Sequence, residues 1–363
     1  MYSPSAIENF EMLSSYLRTT PDQLSKLAHG QRLIFDFKSE SLLVNPPEII
    51  IRENVTVFRK FYIPKKNKKL GYRVVYKAHK QFVKDIHKTL KFNLTNIYTP
   101  HTCVHGFIPG KNIRSNALVH LEKKHLLSLD IKNFFESIDK KSVSAAFISL
   151  GFNKSIASDL SVICTLEDKL VQGFPTSPII ANIVCTKMDE EIQNLCWVYG
   201  ATYSRYADDL SISSNFDMPP VEEIELILKS FNFELNAIKT KRFLRGQNQY
   251  VTGLSISDSA YPRIPKAIKK RIRQQLYYIR KYGYHSHICK IKGLDKETDL
   301  SITKQYVREI ENKLKGWISY IHSIEPLLAE KYFDIFNEIQ SIEYAEVIKL
   351  LKRDPQIRRF KSK

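Results

Sequence analysis

The sequence is poor in cysteine, has no long apolar run, and carries almost no acid in its two most basic stretches. Its five cysteines, Cys103, Cys164, Cys185, Cys196 and Cys289, are odd in number, widely spaced and form no C-x-x-C pair. A zinc ribbon and a disulfide framework are therefore unsupported, and the thiols read as small buried hydrophobes in a reducing compartment. No apolar run approaches the roughly 20 residues that span a bilayer. The opening MYSPSAIENFEML has neither the basic start nor the apolar core of a secretory signal, so the expected location is the cytoplasm, away from membranes. There are no internal repeats and no low-complexity tract. With 363 residues, 43% apolar and 26% charged, the composition is that of a folded chain of two or three domains.

What is present is positive charge, and it is localised. The net charge is +18. Residues 59–91 hold 12 basic residues against the single acid Asp85, and residues 263–292 hold 10 with no acid, leaving the rest of the chain at −3. Aromatics are interleaved with both stretches: Phe58, Tyr62, Tyr72 and Tyr76 in the first, Tyr277 and Tyr278 in the second. Cations that neutralise phosphates, beside rings that stack on bases or sugars, point to a nucleic-acid partner.

Periodicity gives the organisation. Residues 1–30 read as helical, with Thr20 as N-cap, Pro21 in the first turn, Gln23 completing a capping box and Gly30 as a stop. Residues 61–63 and 72–76 read as a hairpin with a basic tip, and 81–92 as a helix. Residues 125–130 form a short apolar strand ending in Asp130. Residues 178–197 read as one helix capped by Ser177, with Ile180, Val184, Met188 and Ile192 at four-residue spacing. Residues 201–206 and 210–214 flank Ala207-Asp208-Asp209 as a hairpin with acids at its apex. A helix at 221–231 and a strand at 250–257 follow. Beyond Pro265 the chain is helical, with apolar stripes Ile268, Ile272, Leu276, Ile279 and then Tyr306, Ile310, Leu314, Trp317, Ile321.

Adjacent acids at a hairpin apex repel each other, and crowding them is costly unless cations neutralise them. A third acid, Asp130, stands at the end of a separate strand. Three carboxylates converging on one sheet edge would hold two Mg²⁺ ions roughly 4 Å apart, one activating an attacking hydroxyl and one neutralising a leaving pyrophosphate. That chemistry is nucleotidyl transfer.

Four segments then occur in a recognisable order: Asp130-Ile-Lys-Asn-Phe-Phe135, Gln172-Gly-Phe-Pro-Thr-Ser-Pro178, Tyr206-Ala-Asp-Asp209 and Leu235-Asn-Ala-Ile-Lys-Thr240. They resemble the palm motifs of reverse transcriptases. Asn116-Ala-Leu-Val-His120 and Val251-Thr-Gly253 further resemble signatures of bacterial retron reverse transcriptases, and the likeness covers roughly residues 30–322. The resemblance implies an α+β right-hand polymerase: fingers and palm with an antiparallel sheet, and a helical thumb. Its expected divisions are an N-terminal helical region at 1–55, interleaved fingers and palm at 56–258 with the palm core at about 121–258, and the thumb at 259–363.

The resemblance also implies roles. Asp130, Asp208 and Asp209 match the metal-binding aspartates, with the Ile131 carbonyl as an extra ligand and two Mg²⁺ ions as cofactor. Phe135 matches the gate that excludes a ribose 2′-OH, while Phe134 reads as core. Gln172 matches the residue lying along the incoming nucleotide sugar, with Gly173 and Pro175 shaping the backbone there. Lys65 and Arg73 match finger residues on the triphosphate, with Lys66, Lys68 and Lys69 as equal alternatives to Lys65. Lys239 matches a palm lysine that protonates pyrophosphate. Asn116, His120, Val251, Thr252 and Gly253 are expected at structured RNA, or, for Asn116 and His120, bracing the fingers. In the thumb, Lys269, Lys270 and Arg273 are the expected RNA contacts. Glu136, Asp139 and Asp217 match no motif and read as surface residues.

About one hundred residues follow the palm, too few for an RNase H domain. The implied activity is copying part of a partner non-coding RNA into single-stranded DNA from dNTPs, primed by an RNA 2′-OH, to give a branched RNA–DNA hybrid in bacteriophage defence. The implied partners are that RNA, its cDNA, a host RNase H and a separate effector protein. A group II intron-type or diversity-generating reverse transcriptase, and a non-catalytic RNA-binding scaffold, are the competing readings.

Overall fold

The computed structural model describes residues 3–37, 55–65, 71–295 and 300–353. The chain divides into two compact units, Met1–Thr252 and Gly253–Lys363. The division falls six residues before the one expected at 258/259.

The first unit opens with a 3-10 turn, Pro4–Ala6, and helices α1 (Phe10–Tyr16) and α2 (Pro21–Ala28). Asn9 caps α1 by accepting the Met12 N–H at 2.9 Å, and Thr20 caps α2 by accepting the Gln23 N–H at 3.3 Å. The Gln23 side chain does not close the expected box; it accepts the Thr19 hydroxyl at 2.9 Å. Nor is the region to residue 55 helical throughout. Gln31–Phe37 is strand β1, parallel to β2 (Val55–Pro64), which pairs antiparallel with β3 (Tyr72–Ala78). Pairing to β2, 24 residues further on, decides this strand, and no local helix signal opposes it. Residues 38–54 lie outside the described residues, as do Lys66, Lys68 and Lys69.

Helices α3 (Gln81–Ile97) and α4 (Ile113–Leu118) lead to strand β4 (His125–Asp130). Then come α5 (Lys140–Ser149), α6 (Lys154–Cys164), the small ribbon β5 (Thr165–Leu166) and β6 (Lys169–Leu170), α7 (Ser177–Val184) and α8 (Thr186–Val198). The hairpin β7 (Thr202–Tyr206) and β8 (Asp209–Ser214), helix α9 (Val221–Ser230), β9 (Lys241–Leu244) and β10 (Tyr250–Val251) complete the unit. The single helix expected at 178–197 is two, joined at Cys185, and Ser177 lies inside α7 rather than capping it. Its hydroxyl donates to the Val171 carbonyl at 2.6 Å. The strand expected at 250–257 is interrupted because Thr252 and Gly253 both adopt positive φ, 46° and 80°.

The palm sheet has strand order β7-β8-β4-β9, all antiparallel, with Asp130 directly opposite Asp209 and Tyr206 opposite Asp209. Strand alternation sorts its faces. Leu127, Leu129, Tyr203, Leu210 and Ile212 belong to the main core, packed with residues of α5 to α9. The opposite face carries Ser128, Ser204, Ser211 and Ser213, and at one end Asp130, Tyr206 and Asp209. A carpet of small hydroxyls thus ends in carboxylates.

The second unit contains β11 (Leu254–Ser255) and three long helices, α10 (Lys266–Lys292), α11 (Leu300–His322) and α12 (Pro326–Arg353). Ile272, Leu276 and Ile279 of α10, Ile310, Leu314 and Ile321 of α11, and Phe336 and Ile339 of α12 are buried, so the apolar stripes form its core. The α11–α12 turn is anchored by Glu325, 7% exposed, which accepts the Ile264 N–H at 2.7 Å and the Lys269 ammonium at 2.9 and 3.0 Å. Lys269 is therefore occupied in holding its own unit together. No helix among the described residues is long and apolar enough to cross a membrane.

Removing Glu325 strands a buried amide and a cation. Glu325→Ala should cost about 2–4 kcal/mol in a denaturant titration, whereas Lys270→Ala on the exposed side of the same helix should stay within about 0.5 kcal/mol.

Candidate catalytic site

Two short segments bring the acids together. β4 delivers Asp130 and the β7–β8 turn delivers Asp208 and Asp209. The Ile131 N–H, just past Asp130, donates to the Asp208 carbonyl at 2.9 Å and staples the turn to the strand end. The turn is only Ala207-Asp208, with Ala207 at φ 58°, a left-handed conformation that costs a non-glycine residue about 1 kcal/mol or more.

That conformation is held from below. Arg205, one residue before Tyr206, points to the core face and is fully buried, as is Asp189 of α8. Its Nε and Nη2 donate to the two Asp189 oxygens at 2.8 and 2.7 Å, while Nη1 donates to Asn182 Oδ1 at 3.1 Å and to the Ala207 carbonyl at 3.2 Å. Tyr203 adds its hydroxyl to Asp189 at 2.8 Å. Burial opposes the charge on Arg205, but Asp189 outweighs it and keeps the guanidinium firmly charged. Asn182 also donates to the Gly106 carbonyl at 2.9 Å. Gly106 lies so close that a Cβ there would stand 2.6 Å from the Ala207 nitrogen. Arg205, Asp189, Asn182 and Gly106 carry no motif signal of their own. Only the tight Arg-Tyr-Ala-Asp-Asp sequence, which forces one residue beside the turn inward, hints at Arg205.

The carboxylates are unequally partnered. Asp130 is 6% exposed; Lys239 Nζ lies 2.6 Å from one oxygen and Asn236 Nδ2 donates to the other at 3.3 Å. The Asn236 N–H also donates to the Asp130 carbonyl at 2.8 Å, so the Leu235–Thr240 segment is bonded to the end of β4. Asp208 and Asp209 have no such ion pair among the described residues. Crowding by the surrounding protein, and then the neighbouring acids, raise both, Asp209 to about 6, with Lys239 and Arg73 opposing. No three His, Cys, Asp or Glu side chains among the described residues are gathered closely enough to hold a metal ion as they stand. The donor set nevertheless fits a hard cation: three carboxylates at one sheet end, two of them held above their usual range by desolvation and then by their acidic neighbours, with the Ile131 carbonyl beside them.

The other expected site residues divide. Arg73, exposed on β3, is close enough for its charge to act on Asp208 and Asp209. Lys65 closes the hairpin through its N–H to the Gly71 carbonyl, and no interaction with the acids is seen. Gln172 donates to Glu136 at 3.3 Å, and its carbonyl accepts the Tyr76 N–H at 2.8 Å, which docks the Gln172–Pro175 loop on β3. Glu136, expected to be a plain surface acid, thus orients Gln172. Gly173, φ 109°, is required there because a Cβ would collide with the Tyr76 carbonyl. Phe134 is core, stacked on Phe233, and Phe135 is half-buried beside it.

Four of the expected RNA contacts are better described as bracing. Asn116 and His120 are 0% exposed and Val251 is 1% exposed, so none presents a side chain to RNA. His120 bridges the Ser213 and Ser204 hydroxyls at 2.6 and 2.7 Å, closing the far end of the hydroxyl carpet, and burial pushes its pKa down to about 3. Thr252 donates to the Ile113 carbonyl at 3.2 Å and receives Asn116 Nδ2 at 3.5 Å. Lys269, expected at RNA, is instead held by Glu325. Lys270, Arg273 and Gly253 are exposed.

Two outcomes follow from this electrostatics. The raised Asp209 pKa opposes folding in full above about pH 6, and that penalty fades as pH falls from there into the ordinary carboxylate range. In EDTA at pH 8, Asp209→Asn should therefore be more stable than the parent by about 1 kcal/mol, discounted for the carboxylate's solvent exposure, and the gap should close by about pH 4.5 in thermal melts. Arg205→Lys, which cannot span Asp189, Asn182 and Ala207 at once, should lose about 3–5 kcal/mol; a loss under 1 would show that the turn stands without the fork.

Comparison with known proteins agrees with this geometry. The family model described as reverse transcriptase (RNA-dependent DNA polymerase) matches residues 63–290, more than half of the chain. The retron Ec73 reverse transcriptase of Escherichia coli is 30% identical over 303 residues, 76% of this chain and 87% of that one. The retron Ec86 reverse transcriptase of E. coli is 28% identical over 271 residues, 74% and 77% of the two chains. The retron Mx65 reverse transcriptase of Myxococcus xanthus is 29% identical over 266 residues, 67% of this chain; the match spans 61% of that longer protein. A likeness of this breadth, over a sheet that sets its carboxylates in this register, means that the chain belongs to the reverse transcriptase (RNA-dependent DNA polymerase) family, among the retron reverse transcriptases of bacteria.

Proposed function

We propose that the chain copies part of a structured non-coding RNA into single-stranded DNA, starting from a 2′-OH of that RNA, so that the product is a branched RNA–DNA hybrid. The observation that carries the polymerase part is the facing pair Asp130 and Asp209 beside Asp208, with Lys239 and Arg73 as the nearest cations. Bound divalent ions, proposed as two Mg²⁺, would supply charge neutralisation and a lowered pKa for the attacking hydroxyl. Asp130, Asp208 and Asp209, with the Ile131 carbonyl, would hold them. Lys239, half-exposed beside Asp130, would give a proton to the leaving pyrophosphate. Arg73, with Lys65 further along the same hairpin, would bind the triphosphate of the incoming dNTP. Gln172, fixed by Glu136 and Tyr76, would lie along its sugar, and the half-buried Phe135 ring would exclude a ribose.

The retron relatives support the priming reading. Family membership further suggests a bacterial cytoplasmic setting, trimming by a host RNase H, and a separate effector in defence against bacteriophage. Exposed Gly253, Lys270 and Arg273 are candidate RNA contacts; the buried Asn116, His120 and Val251 act through the fold.

The test is on nucleic acid that co-purifies with the protein expressed together with its native flanking DNA. The expected species is a short DNA, sensitive to DNase and covalently joined to RNA, that debranching enzyme shortens. Unbranched DNA would leave the polymerase standing and remove 2′-OH priming. In the same preparation, Asp208→Asn combined with Asp209→Asn should abolish the DNA, by at least about a thousandfold, while RNA still co-purifies. DNA retained in that double variant would overturn the catalytic assignment.

A further inference from the structure

The second unit contains a cleft that the polymerase reading leaves unused. α10 bends at Gly283, whose φ of 75° and ψ of 165° interrupt the helix, and Tyr278 stacks on Tyr282 before the bend and on His287 after it. Between the two arms of α10 and the first half of α11 lies a cavity of about 550 Å³. That is within the roughly 300–1,000 Å³ typical of small-ligand sites and far too small for a duplex.

Its walls combine three kinds of chemistry. Arg271, Lys292 and Lys313 supply cations, and among the described residues none of them is ion-paired and the lining has one acid, Glu309. Tyr278 and Tyr306 supply rings: Tyr278 lies offset from Tyr282 and His287, with centroids 6.2 and 6.5 Å apart, and Tyr306 carries Lys292 over one face at 4.1 Å. Gln274 and Gln275 supply carboxamides, each able to donate and accept. His287 also lines the cleft. Its Nε2 is buried without a hydrogen-bond partner among the described residues, and burial, then Lys290, keep the ring neutral. Cations suit phosphate, rings suit the π-face of a base, and carboxamides suit base edges. A free phosphate would not use the rings, and an apolar peptide would not use the cations.

The helix geometry separates this surface from the rest of α10. Arg271, Gln274, Gln275 and Tyr278 recur at i, i+3, i+4 and i+7 and share one face. Ile272, Leu276 and Ile279 occupy the buried face, while Lys269 and Arg280 are committed to Glu325 and to Glu338 of α12. The face on the cleft is thus not the one that the lysine-rich sequence 269–270 suggests.

We propose that this cleft receives one unpaired nucleotide of the partner RNA, its base against Tyr278 and Tyr306 and its phosphates on Arg271, Lys292 and Lys313. The inference rests on RNA being the partner, as proposed above. It makes the second unit a reader of RNA shape: a bulged or looped-out residue is bound and a continuous stem is not.

The probe is a short RNA hairpin carrying one bulged uridine, compared with the same hairpin fully paired, using the full chain. The parent protein should prefer the bulged form by about tenfold or more. Lys313→Glu and Gln274→Ala, both exposed positions outside the core, should remove that preference without changing extension of an added DNA primer on an unstructured template. Tyr278→Ala should do the same, and the two surface variants keep the test sound if the loss of its stacked ring loosens the unit. A 4-thiouridine at the bulge should crosslink to a peptide containing Tyr278 or Tyr306. Equal affinity for the two hairpins, or a crosslink elsewhere, would overturn the proposal. Tight binding of free uridine monophosphate, insensitive to the RNA, would reassign the cleft to a free nucleotide. Loss of primer extension in the parent would count against the polymerase and leave the bulge preference to stand or fall separately.

Discussion

The buried fork between Arg205 and Asp189 is the constraint on which the site depends. A two-residue turn with Ala207 in a left-handed conformation is not stable on its own account, and the acids it carries repel one another. The fork fixes the carbonyl of Ala207 from the core side while Gly106 fills the space beside it too closely for any side chain. Such a buried pair is not in itself a large gain in stability, since desolvating both charges costs about as much as their attraction returns. What it supplies is position. With every Arg205 nitrogen bonded, the turn has one place to be, and Asp208 and Asp209 stay where repulsion alone would not leave them.

Above the sheet the same logic runs in reverse. Core and reactive faces alternate along each strand, so every residue that stabilises the palm from below places its neighbour on the side open to substrate. Asp130, fully engaged by Lys239 and Asn236, and Asp209, left without a cation, form an asymmetric pair across two strands. That unneutralised charge is what the proposed divalent ions would relieve. Ser128, Ser204, Ser211 and Ser213 lie along that face beside Leu126, and His120 closes its far end, neutral and buried, as part of the wall.

The three aspartates, Gln172, Gly173 and Lys239 were legible because each sits in a short segment whose order and spacing are distinctive. The Gly173 expectation has a plain cause in the Tyr76 carbonyl. Asn116 and His120 were legible as a pair but not in role. Two polar side chains near a strand signal either a ligand or a buried bridge, and only their zero exposure chooses the bridge. Lys269 misled for a similar reason, since a lysine in a basic run gives no sign that its partner is Glu325, 56 residues away. Asp189 and Asn182 were invisible, Asp189 as one of three consecutive acids on the polar helix α8 and Asn182 as a single amide on apolar α7.

The sequence by itself determined the class of chemistry, most of the strands and helices, and the short segments that carry the acids, because these follow from local periodicity and from residues adjacent in the chain. The tertiary structure alone decided which polar residues are walls and which are tools. It also decided that β1 is a strand, that one expected helix is two, and that α10 turns Arg271 and Tyr278, not Lys269, toward a cleft. Those outcomes depend on partners distant in sequence, and burial, which assigns a charge its cost, exists only once such partners have met.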